Sequence, residues 1–266
     1  MKTALITGAA GGMGKACAQR FLREGWTVYG LDLRDPGLPG LCFLRSDLTD
    51  EADIEAAFRA VGAGVRRLDA VVHMAGIYDL NSLVEMPDAD VQRIFGVNLF
   101  AAWRVNRIFL PLLGEGSRIV VTSSELAPLD PLPFTGVYAV TKAAADKYAL
   151  SLRMELQLLG IGVSVLRPGA VDTGMLDVSR TRLDAFCGST THYGVDAARF
   201  RRIVQGFEAR PVSPDAVAAL AYRAVTAKRP RPVYGINRQP LLSLFSALPV
   251  RWQNAAVRRI LPGGRK

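Results

Sequence analysis

The stretch "TALITGAAGGMGKACAQRF", Thr3 to Phe21, holds a short apolar run, a cluster of glycines and the start of a helical pattern, in that order. Gly8, Gly12 and Gly14 form Gly-x-x-x-Gly-x-Gly. Glycines let a chain turn tightly and bring its backbone close to a neighbour, and the helix that follows points its unpaired N–H groups at whatever lies before it. Taken alone, the stretch reads equally well as an ordinary glycine-rich turn. Its place, between a first strand and a first helix, favours a phosphate cradle.

The rest of the chain repeats that opening unit. "KTALIT", "TVYGLDL", "DAVVHMAG", "SRIVVTSS" and "GVSVLRPG" are short runs rich in Val, Ile and Leu, ended by Gly, Ser or Asp. "GKACAQRFLREG", "EADIEAAFRAVG", "DADVQRIFGVNLFAAWRVNRIFLPLL" and "SPDAVAALAYRAVTAKR" carry apolar residues at helical spacing, and a further helix runs from about Tyr138 to Gly160. A last strand is expected near "PVYGIN". Strict alternation of strand and helix predicts an α/β fold with a doubly wound parallel sheet and helices on both faces, in a single domain over 1–266. Residues 175 to about 210 have weak periodicity and read as a variable insertion near a site.

Composition narrows the function classes. A chain of 266 residues with 50% hydrophobic and 21% charged residues is an ordinary folded protein, of a length that roughly 100 to 200 residues per domain allows to be one or two domains. Cys17, Cys42 and Cys187 form no CxxC, so no disulfide framework and no metal cluster is indicated, which favours a reducing, cytoplasmic setting. The N-terminal apolar run meets glycines before a leader could develop, and no stretch reaches the roughly 18 apolar residues of a spanning helix. The net charge of +9 is uneven: Asp196 to Lys266 holds 14 Lys/Arg against 3 Asp/Glu. Without a zinc-finger, homeodomain or aromatic-interleaved RNA motif, that tail reads as a solvated basic face or a contact for an anionic membrane, and nucleic acid is not expected.

Two further features point to chemistry. Asp32 ends the second strand eighteen residues beyond Gly14, where a carboxylate accepts hydrogen bonds from an adenosine ribose and repels a 2′-phosphate. Gly11 offers no cation for such a phosphate, so NAD is expected in preference to NADP; Arg34 is the dissenting residue. Asp47 follows the next apolar run and could reach an adenine or simply cap a helix. In "GVYAVTKAAAD", Tyr138 precedes Lys142 by one helical turn. A tyrosine with an unperturbed pKa near 10 is a poor base at pH 7, and an ammonium one turn away would lower it.

Taken in order, Thr7-Gly8-x-x-x-Gly12-x-Gly14, Asp32, Asp47, Ala75-Gly76, Asn98, Ser123-Ser124, Tyr138-x-x-x-Lys142, Pro168-Gly169 and Thr173 resemble the short-chain dehydrogenase/reductases over nearly the whole chain. The resemblance implies a Rossmann-like fold and an NAD(P)-dependent oxidoreductase acting on an alcohol or ketone. Tyr138 would be its acid/base, Ser124 would bind the substrate oxygen, Lys142 the nicotinamide ribose, and Asn98 a water leading to solvent. Gly8, Gly12, Met13, Gly14, Asp32, Asp47, Leu48, Ala75, Gly76, Tyr138, Lys142, Pro168, Gly169 and Thr173 would contact the cofactor. Two departures stand out: His73-Met74-Ala75-Gly76 replaces the usual Asn-Asn-Ala-Gly, and Ser124 lies fourteen residues before Tyr138 rather than thirteen, which leaves Ser123 as fallback. His73 reads as a structural strand-end residue.

For the substrate end, Met175, Leu176, Phe186, Tyr193, Phe200 and Phe207 face Pro128, Leu129, Leu132, Pro133 and Phe134 as two walls suited to a bulky apolar alcohol or ketone, or as packing of the loop itself. From about 240 the chain closes as a basic amphipathic tail, with Pro249 as a first helical residue, Trp252, Ala256, Val257, Ile260 and Leu261 as its apolar side, and Arg251, Arg258 and Arg259 between them. The tail resembles those of family members acting on retinol-like or steroid-like alcohols; it would touch a membrane, cover the pocket or pack on a second subunit. The family implies a homodimer or homotetramer. A catalytically silent NAD(H) sensor, or a membrane-recruited regulatory protein, is the competing reading, although such proteins tend to lose the Tyr-Lys pair.

Overall fold

In the computed structural model the described residues are 1–206 and 210–262, and for 175–180 and 204–206 only the backbone course is described. Met175 and Leu176, expected to line the substrate wall, fall among these side chains, and Phe207 lies outside the described residues.

The seven strands are β1 (Thr3–Thr7), β2 (Thr27–Asp32), β3 (Leu41–Arg45), β4 (Ala70–His73), β5 (Arg118–Thr122), β6 (Gly162–Pro168) and β7 (Val233–Ile236). They form one parallel sheet in the order β3-β2-β1-β4-β5-β6-β7. The chain winds outward from β1 in one direction and then from β4 in the other, so the crevice at the carboxyl ends of β1 and β4 is the switch point, where open α/β sheets bind ligands.

Strand residues alternate between two cores because successive side chains point to opposite faces. Ala4, Ile6, Val72 and Val120 join α1 (Gly12–Arg23) and α8 (Pro214–Thr226) on one face. Leu5, Val71, Ile119 and Val121 join α2 (Glu51–Gly64), α4 (Ala101–Phe109) and α5 (Gly136–Leu156) on the other. Near-continuous apolar strands follow from this two-sided burial.

Side-chain caps readable in the sequence open two of the helices. The Asp50 carboxylate accepts from Ala52 N to open α2, and the Ser213 hydroxyl from Ala216 N to open α8, where Pro214 fills the first turn. The long helical pattern at 88–113 is broken in the structure into α3 (Asp88–Phe95), a π-helical turn (Gly96–Phe100), α4 and a short 3₁₀ turn holding Pro111. The weakly periodic insertion holds two helices, α6 (Gly174–Ser189) and α7 (Gly194–Gly206), and the tail folds into α9 (Pro240–Ser246) and α10 (Val250–Ile260). Pro249 is the cap of α10 rather than its first residue.

Phe21 ties α1 to α8. Fully buried, it meets Trp26 edge-on at 5.0 Å and Tyr222 at 5.2 Å. Phe21→Ala should therefore lower unfolding free energy by about 3 to 5 kcal/mol in urea denaturation, because the rigid aromatic cluster cannot collapse onto the hole; a loss below about 1 kcal/mol would contradict this packing.

Candidate active site

The glycine turn fits a pyrophosphate. Gly8 has a left-handed φ of 69°, and a Cβ there would lie 2.6 Å from Ala75 N. A Cβ on Gly14 would collide with the carbonyl oxygen of Gly8. These contacts press the turn between β1 and the loop after β4, with Met13 packed against the α1 core. Helix α1 then starts with no side-chain cap and no acid in its first turn, which leaves its N–H groups and positive dipole end for an anion. Thr173 lies against Gly12: a Cβ on Gly12 would be 2.6 Å from its methyl group.

The flanking acids are arranged for different tasks. Asp32 ends β2, and one of its oxygens accepts from Ala10 N at 2.9 Å, which holds the carboxylate beside the turn. Arg34 N donates to the other oxygen at 3.3 Å. Asp47 takes the Thr49 hydroxyl at 2.7 Å and its N–H at 2.8 Å, bonds that hold its carboxyl below the usual range. It forms its own turn before α2, and Asp50 is the helix cap. Leu48 is buried in the second core, against which Ala75 also packs.

Tyr138, Lys142, Ser124 and Asn98 converge at the carboxyl ends of β4 and β5, each with little exposure. The two serines separate by their bonds. Ser123 Oγ donates to the Lys142 carbonyl at 2.9 Å, whereas Ser124 is hydrogen-bonded to Tyr138 and accepts from Leu126 N at 3.2 Å. Asn98 sits in the π turn; its Oδ1 accepts from Ile77 N at 2.8 Å and its Nδ2 donates to Ile77 O and Thr141 Oγ1, both at 3.0 Å. It thus clamps the loop after Gly76 against α5. A Cβ on Gly76 would lie 3.1 Å from Lys142 Nζ, so that glycine leaves the lysine its room. Pro168 ends β6, and the Gly169 N–H bonds Ile236 O at 2.9 Å, joining the site to β7.

The lowering expected of Tyr138 from the ammonium and a positive nicotinamide ring together is not a property of the chain alone. Burial pushes its phenol well above the ordinary value, Tyr78 and Glu125 add to the rise, and only the Ser124 bond opposes it. Lys142 Nζ donates to Thr122 O at 3.2 Å and lies 5.8 Å from the Tyr138 ring centre, while burial brings the ammonium down to about 8. Burial is the first cause in both groups, and it favours the uncharged form of each.

On the substrate side both expected readings are met, Leu129, Leu132 and Phe200 lining open space while the aromatic groups pack on one another. Phe134 packs directly on Phe186 at 4.8 Å and on Tyr193 and Phe200 at 5.3 Å, so these aromatic groups pack the loop itself. The open space lies beside them. A cavity of about 430 Å³ is lined by Leu126, Leu129, Pro131, Leu132, Thr135 and Ala139 on one side, Phe200 and Ile203 on another, and Leu241, Leu242 and Phe245 of α9 on the third. Leu126 belongs both to this cavity and to the apolar cluster around Tyr138.

Sequence reasoning missed four participants. Glu125 is buried, its carboxyl raised by that burial, and it accepts from Gln239 N at 2.6 Å, holding the start of α9 across the site. Asp130 accepts from Gln253 at 2.8 Å, and its N–H donates to Ser246 Oγ at 2.8 Å. Tyr78 lies 4.5 Å from Tyr138, ring to ring. Glu85 takes four bonds from Thr190, Thr191 and His192, which lower its carboxyl to about 2 and tether the α6–α7 link. No motif or period marks any of these in the sequence.

His73 is buried at the end of β4, 2.8 Å from Asn106 Oδ1, and Asn106 in turn donates to Tyr148 OH at 3.0 Å. Burial lowers the imidazole from 6.5 to about 4, against the Asn106 bond. Between those values the unfolded chain takes up a proton that the folded chain refuses, so stability present above pH 6.5 drains away as pH falls to 4, by roughly 3 kcal/mol. His73→Gln, which keeps an amide toward Asn106, should remove that part of the slope in urea titrations run across this range; an unchanged slope would show that His73 does not titrate in this window.

Comparison with known proteins agrees with this geometry. A family model described as short chain dehydrogenase matches residues 2–184. The chain is similar to a probable short-chain type dehydrogenase/reductase, VdlC, of Helicobacter pylori, with 26% identity over 99% of both chains. It is also similar to mouse (Mus musculus) estradiol 17-beta-dehydrogenase 2, with 29% identity over 91% of this chain and 69% of that one. Among solved structures, the Thermoplasma acidophilum aldohexose dehydrogenase shares the fold, with a TM-score of 0.76 at 22% identity over 93% of this chain and 96% of the other. The chain therefore belongs to the short-chain dehydrogenase/reductase family of NAD(P)-dependent oxidoreductases.

Proposed function

We propose that the protein transfers a hydride between NAD(H) and a secondary alcohol or ketone with a lipophilic body. The observation that carries this reading is the buried Ser124–Tyr138–Lys142 group next to an apolar cavity. A sugar would require more polar partners than Leu126, Leu132, Ile203, Leu242 and Phe245 offer.

The nicotinamide supplies the hydride donor or acceptor, and in its oxidised form a positive ring. The chain's own residues handle the proton. Tyr138 holds it at the phenol oxygen, and the burial that raises this group keeps it in the protonated form that can donate to a carbonyl oxygen on reduction, while making it the weaker acid. In oxidation the same oxygen takes the hydroxyl proton, which needs positive charge nearby to hold the phenolate. Lys142 contributes its ammonium below about pH 8 and loses it above. Ser124 donates to the substrate oxygen, and Asn98 keeps the loop after Gly76 closed on α5. The glycine turn and the α1 terminus hold the pyrophosphate, Asp32 the adenosine ribose, Thr173 the carboxamide end, and Pro168 and Gly169 the wall beside it. Exposed Phe100, Trp103, Val140 and Met154 on and beside α4 and α5 support assembly as a homo-oligomer.

Two measurements test this. In a 340 nm assay over steroid, retinoid, long-chain and small polar secondary alcohols, turnover should be best on a lipophilic one, and Tyr138→Phe should lower kcat/KM on the order of a thousandfold. NADH should still bind, since Tyr138 is one of many cofactor contacts, so the loss falls mainly on turnover. Tight NADH binding with no turnover of any alcohol by the wild type would favour the silent sensor. Asp32→Asn keeps an acceptor for Ala10 N and removes the charge. It should narrow the preference for NAD over NADP on the order of tenfold, the worth of a charge-assisted hydrogen bond. An unchanged ratio would take the selection away from Asp32.

A further inference from the structure

The two C-terminal helices are fastened through a few inward groups and leave a distinctive outer face. On α10 and its cap the inward stripe is Gln253, Val257 and Leu261, four residues apart: Gln253 is hydrogen-bonded to Asp130, Ser246 O and Leu248 O, and the capping Leu261 is buried in a cluster with Leu183 and Phe200. The opposite side carries Arg251, Trp252, Arg258 and Arg259, all exposed. Leu241, Leu244, Val250, Trp252 and Ile260 are each more than half exposed. From Arg238 onward the charges are Arg238, Arg251, Arg258, Arg259, Arg265 and Lys266, with no acidic residue among them.

Single exposed apolar side chains are ordinary, but five large ones on two short adjacent helices, the second of which also carries three arginines, make an interaction surface. Its chemistry selects the partner. An isologous contact with a second copy would set this cationic face against itself. Nucleic acid would use the arginines and leave Leu244, Val250 and Ile260 in water. An anionic bilayer uses every part: arginines at the headgroup phosphates, Trp252 at the interface, and aliphatic side chains at the acyl boundary.

We propose that α9 and α10 form a docking face for an anionic lipid bilayer, on which the protein lies without crossing. No helix among the described residues is long and apolar enough to cross. Leu241 both lines the apolar cavity and is 59% exposed, so docking brings the cavity rim to the acyl boundary. That last consequence rests on the lipophilic substrate proposed above; the docking itself does not.

The test is cosedimentation of the full chain with phosphatidylcholine vesicles made with and without phosphatidylserine. The wild type should bind only the anionic vesicles and be released by added salt. Arg251→Ser/Arg258→Ser/Arg259→Ser should weaken partitioning about a hundredfold, and Trp252→Ser should weaken it further, with circular dichroism and turnover of a soluble alcohol unchanged. Failure of the wild type to bind anionic vesicles, or binding indifferent to phosphatidylserine and salt, overturns the proposal, and neither result depends on how the variants fold. Light scattering that shows a wild-type oligomer dissolved by Trp252→Ser would also overturn it, by giving the face to a second copy. No vesicle measurement involves turnover, so a chain that oxidises no alcohol still tests the docking.

Discussion

Everything at the carboxyl edge of the sheet depends on how closely three backbones approach one another. Gly14 lies under the Gly8 carbonyl, Gly8 presses on Ala75, and Gly12 meets Thr173 of the segment after β6. A side chain at any of these contacts would push the turn away from the loop after β4. The same closeness that packs the turn leaves the α1 terminus open to an anion and sets Asp32 beside it through Ala10 N. Cofactor site and fold are therefore one constraint: the chain cannot loosen the turn without also moving the loop that carries Gly76 toward Lys142.

Burial is the second theme, and it sets the proton chemistry. Tyr138, Lys142 and His73 are all removed from water, and in each the uncharged form gains. For His73 this means a silent structural bridge to Asn106 and α4. For Tyr138 and Lys142 it means a phenol that holds its proton firmly and an ammonium that yields its own near pH 8, so only the lysine is close to exchange before substrate or cofactor brings charge to the site. Glu125 adds a carboxylate to the same enclosure and couples it to the chain's C-terminal part through Gln239.

The C-terminal segment carries two surfaces on one short pair of helices. Leu242 and Phe245 close the apolar cavity that begins beside Ala139, while Arg251, Trp252, Arg258 and Arg259 face out. Polar fasteners at Glu125, Asp130 and Gln253 fix its position where an all-apolar contact could slide. Glu85 does the same for the link between α6 and α7, so both covers of the cavity are positioned by single buried or bonded carboxylates reaching across the chain.

Local order determined what could be read from residues alone. Strand and helix alternation, the glycine turn, Asp32 and the Tyr138–Lys142 spacing are short-range patterns, since period 2, period 3.6 and a left-handed turn are each written within a dozen residues. Tertiary structure decided the rest, because it depends on partners far apart in the chain. Ser124 differs from Ser123 only in which element each faces, and Asn98 became a clamp through a π turn that no periodicity announces. Of the readings left open by the sequence, Phe134 takes packing on Phe186 and Phe200, and the tail takes the pocket, which α9 lines. An apolar side chain in sequence shows that it must be buried; only the folded chain chooses against what, because the hydrophobic effect has no direction of its own.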